Sequence, residues 1–143
     1  MELSAKGIAF IENAEGCKLS AYLDQRGIPT IGVGHTLGVK MGDTCTQEQA
    51  DQWLAEDTEV AQHAVNTLVT VPLNQNQFDA LVSFTFNVGV GSFKSSTLLS
   101  LLNQNAYAGA AQQFLKWNHI NGVENEGLTK RRQAEQAMFV GAS

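Results

Sequence analysis

The sequence predicts an α+β fold, a small β-hairpin lobe followed by a mainly helical lobe, and three observations predict it. Residues 18 to 24 and 28 to 33 read as two short strands about the turn Asp24-Gln-Arg-Gly27. One long segment of helical period, residues 47 to 69, comes next. Beyond Val71-Pro72, apolar residues recur at helical spacing between polar capping residues as far as Phe139. A hairpin first and helices afterwards segregates the two kinds of element, which is the α+β pattern. Length 143 sets one domain over residues 1–143, or two small lobes sharing a core, and 43% hydrophobic residues suffice for that core. The lobes are expected at about 15–46 (hairpin) and 70–143 with the N-terminal helix 5–15 (helical), joined by helix 47–69.

In order, Ser4 can cap a helix over residues 5 to 15. Ile8, Ile11 and Glu15 recur at helical spacing and are expected on one inward face, with Gly16 ending the helix. The first strand puts Leu19, Ala21 and Leu23 on one side. Glycines 32 and 34 remove side chains from the return strand and make room for something to approach. Glycines 38 and 42 bracket a loop. Thr46-Gln-Glu-Gln49 reads as a capping box opening the connecting helix. That helix would be roughly 35 Å long at about 1.5 Å per residue, and it reads as a strut between lobes with the cleft between them. Its acids Glu48, Asp51, Glu56, Asp57 and Glu59 form a solvated face. Asn74 can cap residues 75 to 87, with Phe78, Leu81, Val82 and Phe86 inward, and Asn87 to Gly91 is a break. Ser95 or Ser96 opens a short helix at Thr97 to Leu102, and residues 107 to 116 form another. Residues 117 to 127 are a polar loop, and Leu128 or Thr129 begins the last helix.

Composition narrows the function. Net charge is −5, and from Met41 to Phe93 there is no Lys or Arg against seven acids. The cluster Lys130-Arg131-Arg132 reads as salt bridges closing a helix rather than as a basic face, so nucleic acid is not an expected partner. No run of 18 apolar residues occurs and the start lacks a signal-peptide pattern, so membrane insertion is not expected and the chain reads as a cytoplasmic product. Cys17 and Cys45 read as two reduced thiols, Cys17 semi-buried. They and the three histidines lack metal-ligand spacing; no metal and no cofactor are expected, and His35 reads as structural.

The chemistry-bearing stretch is residues 15 to 36. Glu15 ends a helix after an apolar stripe, where acids are disfavoured at an ordinary exposed C-terminus. Burial there would favour the protonated form that a proton donor needs. Asp24 sits at an open turn, where it can equally hydrogen-bond backbone amides. Thr30 follows on the return strand and can orient a water. Tyr22 can stack on a sugar or fill a core, and the sequence does not choose. Two carboxylates in unlike surroundings across an opening are what glycoside hydrolysis requires. No nucleophile elbow, phosphate loop or metal motif competes.

Glu15, eight residues, Asp24, five residues and Thr30 resemble the catalytic triad of the phage-type lysozymes, the endolysins of glycoside hydrolase family 24. Glu15-Gly16, Leu19-Ser-Ala-Tyr22 and Thr30-Ile-Gly-Val-Gly-His-Thr36 carry the likeness in the hairpin. Asn76-Gln-Phe-Asp-Ala-Leu81, Phe84-Thr-Phe-Asn-Val-Gly89 and Leu128-Thr-Lys-Arg-Arg-Gln-Ala-Glu135 carry it in the helical part, so it spans nearly the whole chain. The resemblance implies a lysozyme-like fold. It implies Glu15 as general acid, Asp24 and Thr30 positioning or activating water, and cleavage with inversion. The implied substrate is the bond between N-acetylmuramic acid and N-acetylglucosamine in peptidoglycan glycan strands. It also implies host lysis by a phage or prophage enzyme, a monomer that stays in the bacterial cytoplasm until a holin releases it to the wall. Many relatives are cationic and this chain is acidic, so its wall binding is expected to depend less on salt. The competing classes are a lytic transglycosylase, which needs no positioned water, and a non-catalytic wall-binding or assembly module, which would not need Glu15.

Overall fold

The computed structural model describes residues 1–141 and has the expected α+β fold, with a β-hairpin followed by a mainly helical region. Helix α1 spans Ala5–Glu15, strands β1 and β2 are Lys18–Leu23 and Pro29–Gly32, and α2 is Gln47–Leu68. Helices α3 (Gln75–Val88), α4 (Val90–Lys94), α5 (Thr97–Asn103) and α6 (Tyr107–Gln113) follow, the last running into a 3₁₀ turn at Phe114–Lys116. A second hairpin, β3 (His119–Ile120) with β4 (Val123–Glu124), precedes α7 (Glu126–Phe139).

Helix α3 is the centre. Every residue from Phe78 to Thr85 is buried, so the helix has no solvent face and must be enclosed by others. It packs on α1, α2, α4 and α7. Phe84 sits edge-on to Phe93, Phe114 and Trp117 at centroid distances of 6.4, 5.3 and 5.5 Å. The polar residues of α3 are satisfied by reaching neighbours. Buried Asp79 accepts the Ser4 backbone N–H at 3.2 Å and the Ser4 hydroxyl, while Ser4 Oγ accepts the Gly7 N–H at 3.1 Å. A Cβ on Gly7 would stand 2.7 Å from Asp79 Cγ, so α1 rests on α3 through its glycine. This turns the inward face of α1 toward Gly7 and Ile11 and leaves Ile8 exposed, against the sequence expectation.

The hairpin is shorter on its return side than the pattern suggests, because Gly32 leaves extended backbone at φ +64. Leu19 and Leu23 of β1 are exposed. The loop after Gly38 comes back along the free edge of β1, where Ala21 N–H donates to Asp43 O and Cys45 N–H to Leu19 O, both at 2.9 Å. His35 is structural. Its ring stacks on Trp53 of α2 at 4.3 Å and 3°, and Nδ1 lies 2.7 Å from Asp57 Oδ2. Asp57 therefore leaves the solvated acidic face on which the pattern put it.

Other local differences have simple causes. Thr46 does cap α2, accepting the Gln49 N–H, but the complete reciprocal box is Asn74 with Gln77 on α3. Of the residues 87–91, only Gly89 (φ +97) interrupts helix; α4 starts immediately after it. Asn121 and Gly122, both at positive φ, make the tight turn that folds the expected loop into β3–β4. Asn125 caps α7 by accepting the Leu128 N–H, which starts that helix earlier, and Arg131 and Arg132 lie within it rather than closing it.

Candidate active site

A cleft of about 710 Å³ opens between the end of α1, the β1–β2 turn and α7. Glu15 and Asp24 both line it, as do Tyr22, Asn87 and Arg131. A second cavity of about 540 Å³ adjoins it, sharing Arg26 and Asn87 and adding Lys116, Trp117 and His119. The chain is acidic, yet Lys18, Arg26, Lys130 and Arg131 line the larger cavity and Lys116 the smaller.

Glu15 is held from two sides. Its side chain is 18% exposed, and Oε2 receives Nη1 of Arg131, itself 8% exposed. On the other side lies Gly34, at φ +69, where a Cβ would stand 2.9 Å from Glu15 Oε1 and 3.1 Å from its carboxyl carbon. The room made at position 34 is thus filled by the Glu15 carboxylate. Position 34 must be glycine on two grounds, the left-handed backbone and the close approach.

Asp24 does what a turn aspartate does. Oδ1 accepts the backbone N–H groups of Arg26 at 2.8 Å and Ile28 at 2.9 Å, and the Asp24 N–H donates to Ile28 O at 3.0 Å. Oδ2 has no partner among the described residues, so the same side chain builds the turn with one oxygen and keeps the other for the cleft. Tyr22 lies in the field of both carboxylates. Burial, then the charges of Glu15, Asp24 and Cys17, push its phenol up from the ordinary value. Lys18 Nζ sits 4.6 Å from its ring centroid. Tyr22 therefore belongs to the cleft wall and not to a lobe core.

Thr30 is placed differently. It is buried, pairs with Tyr22 across the hairpin, and does not line the larger cavity. Its hydroxyl donates to Ile28 O at 2.8 Å, which leaves it as an acceptor for any further partner. Cys17 is exposed, not semi-buried; its Sγ lies 3.9 Å from Gln47 Oε1.

The sequence reading passed over Arg131 and Asn87 as site residues. The signal for Arg131 was present: Arg131 and Arg132 stand four and three residues before Glu135, the spacing of helical ion pairs. That Arg131 also reaches Glu15, 116 residues away, no local pattern encodes.

A family model described as phage lysozyme matches residues 12–135. The chain belongs to the phage lysozyme family. Over 99% of its length it is 45% identical to the whole endolysin of Acyrthosiphon pisum secondary endosymbiont phage 1, and over 98% it is 45% identical to 99% of the endolysin of Salmonella phage P22. In three dimensions it resembles the endolysin of Escherichia coli O157:H7 phage FAHEc1, with a TM-score of 0.89, 41% identity, and coverage of 100% of this chain and 96% of that one. As a phage lysozyme the chain is a glycosidase of the endolysin class.

Proposed function

We propose that this phage lysozyme is a muramidase that hydrolyses the β-1,4 bond between N-acetylmuramic acid and N-acetylglucosamine in bacterial peptidoglycan, with inversion. The observation that carries this reading is that Glu15 and Asp24 line one cleft in unlike settings. Glu15 is enclosed by Gly34 and Arg131, while Asp24 has one oxygen fixed by two amides and the other unpartnered. Glu15 donates its proton to the leaving oxygen, and Asp24 accepts a proton from the attacking water. Thr30, buried beside Tyr22 with its own proton committed to Ile28 O, is assigned the positioning of that water, to which it can offer only an acceptor lone pair. The cationic lining of the cleft suits a polymer that carries carboxylates on its peptides.

In this reading the cleft separates a hairpin lobe, residues 15–46, from a helical lobe, residues 70–143 with α1, of which 142 and 143 lie outside the described residues, and α2 joins them. The enzyme acts as a monomer and serves host lysis for a phage or prophage. No helix of the described residues is long and apolar enough to cross a membrane, and release from the cytoplasm to the wall falls to a holin.

The test is mass analysis of purified peptidoglycan digested by wild type and by Glu15→Gln, with proton NMR of the fresh products. Reducing muramic ends of inverted anomeric configuration, made by wild type alone, support the reading. Anhydro-muramic ends would move the protein to the transglycosylases, and retained configuration would overturn inversion.

A further inference from the structure

Glu135 has no part in the mechanism above, yet its buried carboxylate joins three side chains, Ser83, Arg131 and Arg132. Its side chain is wholly buried, an expensive place for a carboxylate unless every lone pair is used. Oε2 accepts the Ser83 hydroxyl at 2.6 Å and Nε of Arg131 at 3.3 Å. Oε1 stands 2.8 Å from Nε of Arg132, paired by charge without the alignment of a hydrogen bond. Burial pushes the Glu135 carboxyl up and the Arg132 guanidinium down to about 10, and the mutual attraction of the pair opposes both changes.

The far ends of the two arginines do not go to solvent. Arg131 places Nη1 on Glu15 Oε2, and its Nη2 lies 3.4 Å from both Ser83 O and Oγ. Arg132, its guanidinium 5.1 Å from the centre of the Phe84 ring, donates from Nη2 to Asn87 Oδ1 at 2.7 Å. Arginine is a donor only, so Asn87 must turn its oxygen to Arg132, which fixes its amide as a donor elsewhere. Glu15 and Asn87 both line the larger cavity, and Asn87 also lines the smaller. A pair needed for stability alone could be replaced by apolar side chains at little cost. Here one buried carboxylate branches to two groups on the cleft wall.

We infer that Glu135 is a positioning residue: through Arg131 it sets the carboxyl of Glu15, and through Arg132 it sets Asn87 as a hydrogen-bond donor at the junction of the two cavities. The inference rests on Glu15 being the acid. The groups around Arg131 come from three elements: Glu15 on α1, Ser83 on α3, and Glu135 on its own helix.

The experiment is a double-mutant cycle on wild type, Glu135→Gln, Arg131→Lys and the pair, measuring kcat and KM for release of reducing ends below the melting temperature of every variant. Each single change is expected to lower kcat by about tenfold, and the double variant to be no worse than the poorer single, because both remove the same alignment. Multiplying losses would overturn the inference. Should Glu135→Gln not fold, Ser83→Ala removes one hydrogen bond to Glu135; a kcat loss of about threefold that does not multiply with Arg131→Lys supports positioning, and an unchanged kcat overturns it. Nitrogen-15 relaxation of the Arg131 Nε–H reads the positioning without catalysis. Rigid in wild type and mobile in Ser83→Ala supports the inference; equally rigid in both overturns it. A wild type that makes no reducing ends would instead sink the muramidase reading.

Discussion

Glu15 Oε1 lies 2.9 Å from where a side chain on residue 34 would begin, and residue 34 is glycine. The carboxylate of one element and the missing side chain of another are therefore one feature. Gly34→Ala meets both a left-handed backbone, costing an alanine on the order of 1 kcal/mol, and an overlap that Glu15 must relieve by moving. The expected result is a melting temperature lower by a few degrees and a kcat lower by tenfold or more. Calorimetry and a reducing-end assay check the two separately.

In the proposed mechanism Asp24 carries two jobs on one side chain, and substitution can divide them. Asparagine keeps an oxygen for the amides of Arg26 and Ile28 but loses the charge. Asp24→Asn should unfold within about 1 kcal/mol of wild type and lose at least a hundredfold in rate, whereas Asp24→Ala should lose both stability and activity. Equal activity of Asp24→Asn and wild type would show that Asp24 is only a turn residue.

His35 joins the segment after the hairpin to α2 through Trp53 and Asp57. His35→Ala removes a stacked ring and leaves Asp57 without its partner, so a loss of about 2–3 kcal/mol is expected in denaturant unfolding. Asp57→Asn should cost less, since the amide can still hydrogen-bond Nδ1 and the stack remains.

Ser4 caps α1 and supplies a hydrogen bond to buried Asp79. Ser4→Ala should cost about 1–2 kcal/mol. Asp79→Ala should cost more, because it opens space beneath Gly7 and strips partners from the Ser4 N–H and hydroxyl and from Gln75. Urea midpoints of the two variants decide the order.

The exposed acids Glu48, Asp51, Glu56 and Glu59 on α2 do not line the cleft, where Lys18, Arg26, Lys130 and Arg131 outnumber Glu15 and Asp24. The acidic face of α2 thus opposes adhesion to an anionic wall, while the cationic residues of the cleft favour it. Lysis of purified walls should fall by less than about threefold between roughly 0.05 and 0.3 M salt. A steeper fall would show that electrostatic adhesion dominates.

Much of this was legible in short-range signals. Ser4, Thr46, Asn74 and Ser96 cap helices where their side chains suggest, since a cap needs only a hydroxyl or amide within three residues of its amide. The β3–β4 hairpin was not legible because two-residue strands leave no alternation to count. Helix α4 was missed because Gly89 and Gly91 read as breakers, and only one of them breaks. Asp57 looked like a surface acid because its partner His35 lies 22 residues away.

By itself the sequence determined the order and kind of the elements other than α4 and the β3–β4 hairpin, the turn of the first hairpin, and the spacing of Glu15, Asp24 and Thr30. These depend on hydrogen bonds and periodicities spanning a few residues. The tertiary structure alone decided which neighbours those residues meet. Arg131 reaches Glu15 across 116 residues, Gly34 yields its space to the same carboxylate, and Glu135 gathers two arginines in the buried interior. The reason is that a buried charge selects its partners by distance and desolvation, and neither quantity is written in local order.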